Sequence, residues 1–188
     1  MKDLSLHILD IVRNSVEAHA SEIAVYMSID TENVLTIEFR DNGRGMSAEM
    51  VRNVTDPFVT TRTTRKVGMG LPLLKMNAEL TGGSLHVQSE LAKGTAVRAR
   101  FNLLHIDCMP FGDLGGVFAQ LLGGNPDRRF IFSFEANSGE FAVDSAEVWA
   151  MMEETGISQL KIVRFLKEMI NENLAEIGFS ANYISKVR

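Results

Sequence analysis

Seven residues, RDNGRGM, place the carboxylate of Asp41 and two glycines, Gly43 and Gly45, directly after a predicted strand. A carboxylate at that point can accept hydrogen bonds from an exocyclic amine, and glycines allow the backbone to approach a flat ring closely. The pattern indicates either a site for such a ligand or a simple glycine turn at the end of a strand.

Two further glycines, Gly68 and Gly70, precede a predicted helix in GMGLPLLK. The free N–H groups and the dipole of a helix N-terminus suit a phosphate, and the alternative is a flexible linker. No Gly-Lys-Ser/Thr follows at the spacing of a Walker loop, and Leu73 occupies the third glycine position of G-x-G-x-x-G. The two usual nucleotide-binding folds are therefore unsupported.

A polar stripe follows one face of the predicted helix in LSLHILDIVRNSVEAHAS. At about 100° per residue, this face collects Asp3, His7, Asp10, Asn14, Glu17 and Ser21. The opposite face collects Leu4, Ile8, Ile11, Val12, Ser15 and Val16. Carboxylates and an amide are unlike the lysines and glutamates of an ordinary wet face, so the stripe is either solvated or faces a ligand.

Regular elements surround these residues. Alternation of apolar and polar residues predicts strands in EIAVYMSID, NVLTIEFRD, SLHVQSE and GTAVRARFNL. Besides the first helix, we predict helices in SAEMVRNV, with Ser47 as N-cap, and in LPLLKMNAELTGG, ending near Gly82, whereas TDPFVTTRTTRKVGMG reads as a loop. This order predicts an α+β fold, a two-layer α/β sandwich with helices on one face of a mostly antiparallel sheet.

The remainder of the chain predicts a small α+β extension, so we divide the chain into residues 1–104 and 105–188. The extension has a short glycine-ended helix, a hairpin at Asn137-Ser138-Gly139, a helix opened by Asp144 and Glu147, and a long helix before Gly178. It either packs against the first part or offers a docking surface, through Trp149, Met151 and Met152, to a partner or a second copy.

Composition limits the function classes. A net charge of -5 over 188 residues argues against broad nucleic-acid binding. The single cysteine, Cys108, excludes an internal disulfide, and no apolar run reaches the roughly 20 residues of a membrane span. We expect a cytoplasmic protein without a membrane anchor.

Five separated motifs, NSVEA, DNGRGM, DPFVTTR, GMGL and GTAVRARF, occur in one order between Leu4 and Leu103. As a set they resemble the ATP-binding superfamily of gyrase, Hsp-type chaperones, histidine kinases and MutL, known as GHKL. The likeness is greatest to the histidine-kinase-like ATP-binding domain, and we expect this domain to stand alone, without a preceding phosphoacceptor hairpin or sensor region. The resemblance implies the Bergerat-type fold of that superfamily, with ATP and Mg²⁺ as cofactors.

Matching positions take their expected roles from this resemblance. Asn14 corresponds to the asparagine that holds Mg²⁺ against the triphosphate, and Asp41 to the aspartate that bonds the adenine amine. The segment DPFVTTR resembles the start of a mobile lid, and Gly68 and Gly70 resemble the glycines that clasp the β- and γ-phosphates. The implied nucleotide contacts are Asn14, Asp41, Gly43, Gly45, Met46, Phe58, Thr60, Thr61, Arg62, Gly68, Met69, Gly70, Leu71 and Thr95.

Asp10 lies one helical turn before Asn14 on the same face. In the gyrase and MutL branches, and in related anti-sigma kinases, a glutamate there activates the attacking group. Asp10 is therefore either a general base or a solvated carboxylate; being one methylene shorter, it needs a water or a closer substrate, and turnover would be slow. We expect His7 to be a surface or hinge residue, because LSLHILD does not resemble a phosphoacceptor motif.

The resemblance leaves three functions open. The lid and phosphate motifs favour transfer of the γ-phosphate to a histidine, serine or threonine of a partner protein. Asp10 and the Asn14 to Ala18 stretch favour a MutL- or gyrase-like ATPase switch, in which hydrolysis releases an ordered lid. The third is a non-hydrolysing ATP sensor. In each case we expect a protein partner, and a homodimer is a further expectation.

Overall fold

The computed structural model describes residues 2–56, 69–156 and 158–179. Its helices are α1 (Leu4–Glu17), α2 (Ala48–Asn53), α3 (Gly70–Leu80), α4 (Leu114–Gly124), α5 (Ser145–Thr155) and α6 (Gln159–Glu176). Its strands are β1 (Glu22–Ile29), β2 (Val34–Asp41), β3 (Ser84–Glu90), β4 (Gly94–Asn102), β5 (Arg129–Ala136) and β6 (Gly139–Asp144). The predicted α+β class is confirmed.

All six of these strands join one mixed sheet in the order β3-β4-β2-β1-β5-β6. Strand β1 runs antiparallel to β2 and parallel to β5, and the other neighbours pair antiparallel. The parallel pair arises because a helical crossover through α4 leads from β4 to β5. Residues after 105 therefore extend the same sheet that the first four strands build.

One side of the sheet carries the hydrophobic core. Along β1 and β2 alternate side chains are buried, and the register places Val25 opposite both Phe39 and Phe132 on one face. Helices α1, α3 and α4 contribute apolar residues such as Ile8, Leu74 and Phe118 to the same cluster. This alternation follows the period of two that the sequence shows, although Ala24, on the opposite face of β1, is buried as well.

Short polar contacts fix both ends of α1. Asp3 is the N-cap, and its carboxylate accepts a hydrogen bond from the Leu6 N–H at 3.0 Å. Beyond the helix, Asn42 Oδ1 accepts hydrogen bonds from the Ser21 and Glu22 N–H groups at 2.9 and 3.0 Å. The end of β2 is thereby tied to the start of β1, which holds the last turn of α1 beside the end of β2.

Helices α5 and α6 pack on the part of the fold that contains α4, β5 and β6. Helix α6 packs on α4 through a buried stripe of Ile162, Leu166, Ile170 and Leu174. In α5, Trp149 and Met152 pack against the core, whereas Met151 is exposed. Across residues 2–56, 69–156 and 158–179, no helix combines the length and apolar character that a membrane crossing requires.

Candidate functional site

A cavity of about 320 Å³ lies between α1, α2 and the ends of β2 and β4. Its volume falls in the range of small-molecule sites, roughly 300–1,000 Å³. Its walls combine apolar side chains with a few polar ones. The lining residues are Ile11, Asn14, Ser15, Glu17, Ala18, Phe39, Asp41, Arg44, Gly45, Met46, Glu49, Met50, Asn53, Val54, Leu71, Thr95 and Val97.

Asp41, the last residue of β2, has its carboxylate held by two donors. The Ser15 hydroxyl of α1 donates to Oδ2 at 2.7 Å, and the Gly43 N–H donates to Oδ1 at 2.9 Å. A carboxylate offers about four acceptor positions, so acceptor capacity remains on both oxygens. Two separate segments thus fix the plane of a negatively charged acceptor that lines the cavity.

Thr95 lies beside Asp41, because the two residues are partners in the β2–β4 register. Its hydroxyl is 2.9 Å from the Ser89 hydroxyl, which also accepts the Met46 N–H at 2.9 Å. This cluster connects the turn after β2 to the β3–β4 hairpin. Predicted contacts Asp41, Met46 and Thr95 are therefore brought together at one end of the sheet.

Gly43 and Gly45, the two glycines of the turn after β2, are required for different physical reasons. A side chain at Gly43 would meet the Ala18 carbonyl oxygen at 2.8 Å, so this glycine lets the turn pack on the end of α1. Gly45 lines the cavity with a positive φ of 63°, and a Cβ there would collide with the Glu90 carbonyl. Both positions require glycine, but only Gly45 borders the cavity.

Asn14 and Asp10, both half-buried, continue the polar stripe of α1 from the cavity towards α3. Asn14 lines the cavity, whereas Asp10 lies against Gly70, where an added Cβ would collide with Asp10 Oδ2. Gly70 begins α3, and the N-cap residue Met69 makes no side-chain capping bond. The first turn of α3 therefore offers its backbone N–H groups next to a carboxylate.

His7 was expected to be a surface or hinge residue, and the surface position is wrong. Its side chain is 0% exposed, and its Nε2 lies 2.9 Å from the Asn77 side-chain nitrogen of α3. Burial lowers the pKa of His7 from 6.5 to about 4, so the ring is neutral near pH 7. The polar stripe of α1 is thus covered by α3 at His7 and borders the cavity only from Asn14 onwards.

The remaining predicted contacts belong to α3 or to the segment before it. Leu71 lines the cavity from α3, and Met69 is exposed beside it. Phe58, Thr60, Thr61, Arg62 and Gly68 lie outside the described residues.

Sequence reasoning missed two groups that border the cavity. Ser15 was placed on the apolar face of α1, yet it is the side chain that holds Asp41. One wall is formed by Met50 of helix α2 and by Val54, the C-cap residue of that helix. The signal for Ser15 was available: it is the one hydroxyl in an otherwise apolar stripe of α1.

The side chains that line the cavity suit a nucleotide ligand. Asp41 supplies a fixed acceptor for an exocyclic amine, and Phe39, Leu71 and Val97 supply apolar surface for a base. The Asn14 side-chain oxygen is a hard ligand of the kind that Mg²⁺ accepts. The chemistry of the donor set therefore fits ATP with a divalent cation.

Residues 2–105 match the sequence profile of the family described as histidine kinase-, DNA gyrase B- and HSP90-like ATPases. Because the match spans more than half of the 188 residues, the chain belongs to this family. It carries an ATP-binding domain of the kinase type.

Curated relatives include several kinases. Sporulation kinase D of Bacillus subtilis is 33% identical over 91 residues, covering 48% of this chain and 18% of that kinase. Sensor kinase CckA of Brucella abortus is 30% identical over 87 residues, covering 46% of this chain and 9% of that protein. The matched segments are thus less than a fifth of these relatives' lengths.

A solved structure extends the likeness beyond the family match. The crystal structure of the N-terminal domain of a DNA repair protein aligns with a TM-score of 0.57, covering 76% of this chain and 52% of that chain. At 18% identity, this alignment shows a shared fold and nothing further.

Proposed function

We propose that this protein binds ATP–Mg²⁺ in the cavity and transfers the γ-phosphate to a protein partner in signalling. The observation that carries the proposal is the Asp41 carboxylate, which accepts hydrogen bonds from the Ser15 hydroxyl at 2.7 Å and the Gly43 N–H at 2.9 Å and lines a cavity in the volume range of small-molecule sites. In this arrangement the adenine amine donates to Asp41. Phe39, Leu71 and Val97 contact the base, and Thr95 contributes a hydroxyl beside Asp41.

The triphosphate would extend along α1 towards α3. Asn14 would hold Mg²⁺, which neutralises phosphate charge in the bound state. The first turn of α3, from Gly70, would donate backbone N–H groups to the phosphates. The family resemblance adds Phe58, Thr60, Thr61, Arg62 and Gly68 as contacts from the segment before α3.

In phosphoryl transfer, the protein mainly positions the reacting groups and neutralises the charge of the phosphates. Asp10 lies one turn of α1 before Asn14 and against Gly70 at the start of α3. It would receive the proton that the attacking histidine, serine, threonine or water loses, directly or through one water. The similarity to kinases supports a protein acceptor rather than water. We further propose a cytoplasmic location, where ATP is supplied, and no nucleic-acid partner, given the net charge of -5.

A single-turnover incubation with γ-labelled ATP and Mg²⁺ tests this proposal. The chain is incubated alone and with an extract of the source cells, and protein-bound label is separated from free phosphate. Label on a second protein is the expected result, and its acid or base lability separates phosphohistidine from phosphoserine or phosphothreonine. Intact bound ATP with no transfer would contradict the kinase proposal and leave an ATP sensor.

An ATPase switch is the second candidate. Its supporting observation is the position of Asp10 against Gly70 at the start of α3, where a base can also activate water. In the same experiment, release of free phosphate without labelled protein supports the switch. Asn14→Ala is the common control for both candidates, because loss of the proposed cation ligand would abolish Mg²⁺-dependent binding.

A further inference from the structure

We infer that Ser15 is a specificity-determining positioning residue, whose hydroxyl fixes Asp41 so that the site selects the 6-amino group of adenine. The inference deepens the proposed function and rests on it. Ser15 is 5% exposed, lines the cavity from α1, and donates to Asp41 Oδ2 at 2.7 Å across 26 residues of chain.

The direction of the hydrogen bond from Ser15 to Asp41 explains the selectivity for an amino group. A serine hydroxyl has one hydrogen, and here that hydrogen is directed to the carboxylate. The Gly43 N–H occupies the other oxygen, Oδ1, at 2.9 Å. The Ser15–Asp41 pair therefore presents acceptors only, which suits an amino group and repels a carbonyl oxygen at the same position of a purine.

Fixing the carboxylate also prepares it for the ligand. With donors from α1 and from the turn after β2, the Asp41 side chain is held in one orientation before a nucleotide arrives. A group that is already oriented loses less conformational freedom on binding. Without the Ser15 hydroxyl, the Asp41 carboxylate keeps only the hydrogen bond from Gly43, and its orientation towards the ligand is less well fixed.

The chain offers a matched control on the same helix. Ser5 is 3% exposed, and its hydroxyl donates to a carboxylate, Asp3 Oδ1, at 2.8 Å. Ser5 is absent from the residues that line the cavity. Replacing either serine with alanine removes a buried hydroxyl from α1, so a loss that is merely structural would be common to both variants.

The experiment titrates the full chain, with Mg²⁺, with ATP and with purine riboside triphosphate, which lacks the 6-amino group. For Ser15→Ala we expect ATP to bind about tenfold more weakly, with binding of the analogue unchanged. The ratio of the two affinities therefore falls about tenfold. For Ser5→Ala the ratio should equal that of the wild type. Ser15→Cys, which keeps a side chain of similar size but donates weakly, should give an intermediate ratio.

The outcomes separate this inference from the proposed function. If the wild type binds no ATP, the proposed function fails. If the wild type binds ATP and discriminates against the analogue, but Ser15→Ala keeps the wild-type ratio, only the role of Ser15 is wrong. An equal fall in the ratio for Ser5→Ala would also overturn it. Circular dichroism verifies folding, and Ser15→Cys supplies the same test if the alanine variant does not fold.

Discussion

Strands β2 and β5 lie on either side of β1, and both alternate buried and more exposed residues. Strand β2 ends in Asp41, whose carboxylate lines the cavity beside α1. Strand β5 instead carries Phe130, Phe132 and Phe134, all fully buried and in contact with other rings. One neighbour of β1 therefore positions polar groups, while the other extends the core.

The two sides of β1 therefore make different contributions to the molecule. The side with β2 and β4 leaves a cavity open between its strand ends and α2, and polar side chains collect there. The side with β5 covers the remaining edge of β1 and buries aromatic surface against α4. We propose that residues 105–188 stabilise the platform on which the candidate site stands.

Removing an aromatic ring from the β5 side should reduce the stability of the whole sheet. Phe118 is fully buried, with its ring centroid 4.2 Å from that of Phe132. We expect Phe118→Ala to lower the free energy of unfolding by about 3–5 kcal/mol. Urea unfolding is followed by the fluorescence of Trp149, the single tryptophan, and by far-ultraviolet circular dichroism.

Both signals should report one transition, because β1 and β5 share a ladder and a core. Phe165→Ala is the control, since that side chain is 56% exposed on α6, and it should change stability by less than about 0.5 kcal/mol. Two separate transitions would mean that residues 1–104 and 105–188 fold independently, and the contrast would then be one between domains.

His7 should make the protein less stable in acid. Its pKa is lowered by burial from 6.5 to about 4, so between these pH values the unfolded chain binds the proton more readily. Stability is therefore complete above about pH 6.5 and falls as the pH drops to about 4, by about 3 kcal/mol at most.

Urea unfolding of the wild type and of His7→Gln at several pH values measures this dependence. The variant should show a flatter profile than the wild type between pH 6.5 and 4. His86→Gln, at an exposed position on β3, should keep the wild-type profile. Parallel profiles for the wild type and His7→Gln would show that His7 does not set the acid sensitivity.

Asp10 should affect turnover rather than affinity. If Asp10 is the base, Asp10→Asn should slow transfer or hydrolysis by about 100-fold, because general bases contribute roughly 10²–10⁴-fold. ATP affinity should remain close to that of the wild type. Single-turnover rates and a binding titration provide the two readouts, with Asp107→Asn as an exposed control. Wild-type turnover in Asp10→Asn would return Asp10 to a solvated role.

The smallest effect concerns the open face of β2. Burial raises the pKa of Glu38, but hydrogen bonds from Arg98 and Arg40 outweigh it and hold the pKa below its usual value. We expect Glu38→Gln to cost about 1 kcal/mol of unfolding free energy at pH 7, a difference that disappears as the pH falls through the range where Glu38 is protonated.

Chemical unfolding at pH 7 and at pH 3 tests the Glu38 prediction. Glu135→Gln, at an exposed position on β5, is the matched change on the other side of β1. Equal losses for the two variants would remove any electrostatic distinction between the two sides of β1.

Local patterns predicted most elements and the turn that carries Asp41, since period, capping and glycine positions are encoded within a few residues. Strand order was not accessible, because alternation reveals which face is buried but not which strands pair. The burial of His7 depends on Asn77, which is 70 residues away, and the contact of Ser15 with Asp41 spans 26 residues. The local pattern placed His7 on the polar face of α1 and Ser15 on the apolar face. It could not predict their partners, because Asn77 and Asp41 are distant in the sequence.

A calorimetric titration of ATP–Mg²⁺ into the wild type and into Asp41→Asn tests whether Asp41 recognises the nucleotide. If Asp41 receives the adenine amine, the wild type should bind, and the variant should bind at least about tenfold more weakly, because a hydrogen bond to a charged group is lost. Asp127→Asn makes the same change at a side chain that is 74% exposed, and it should bind like the wild type. Equal affinities for the wild type and Asp41→Asn would contradict the account.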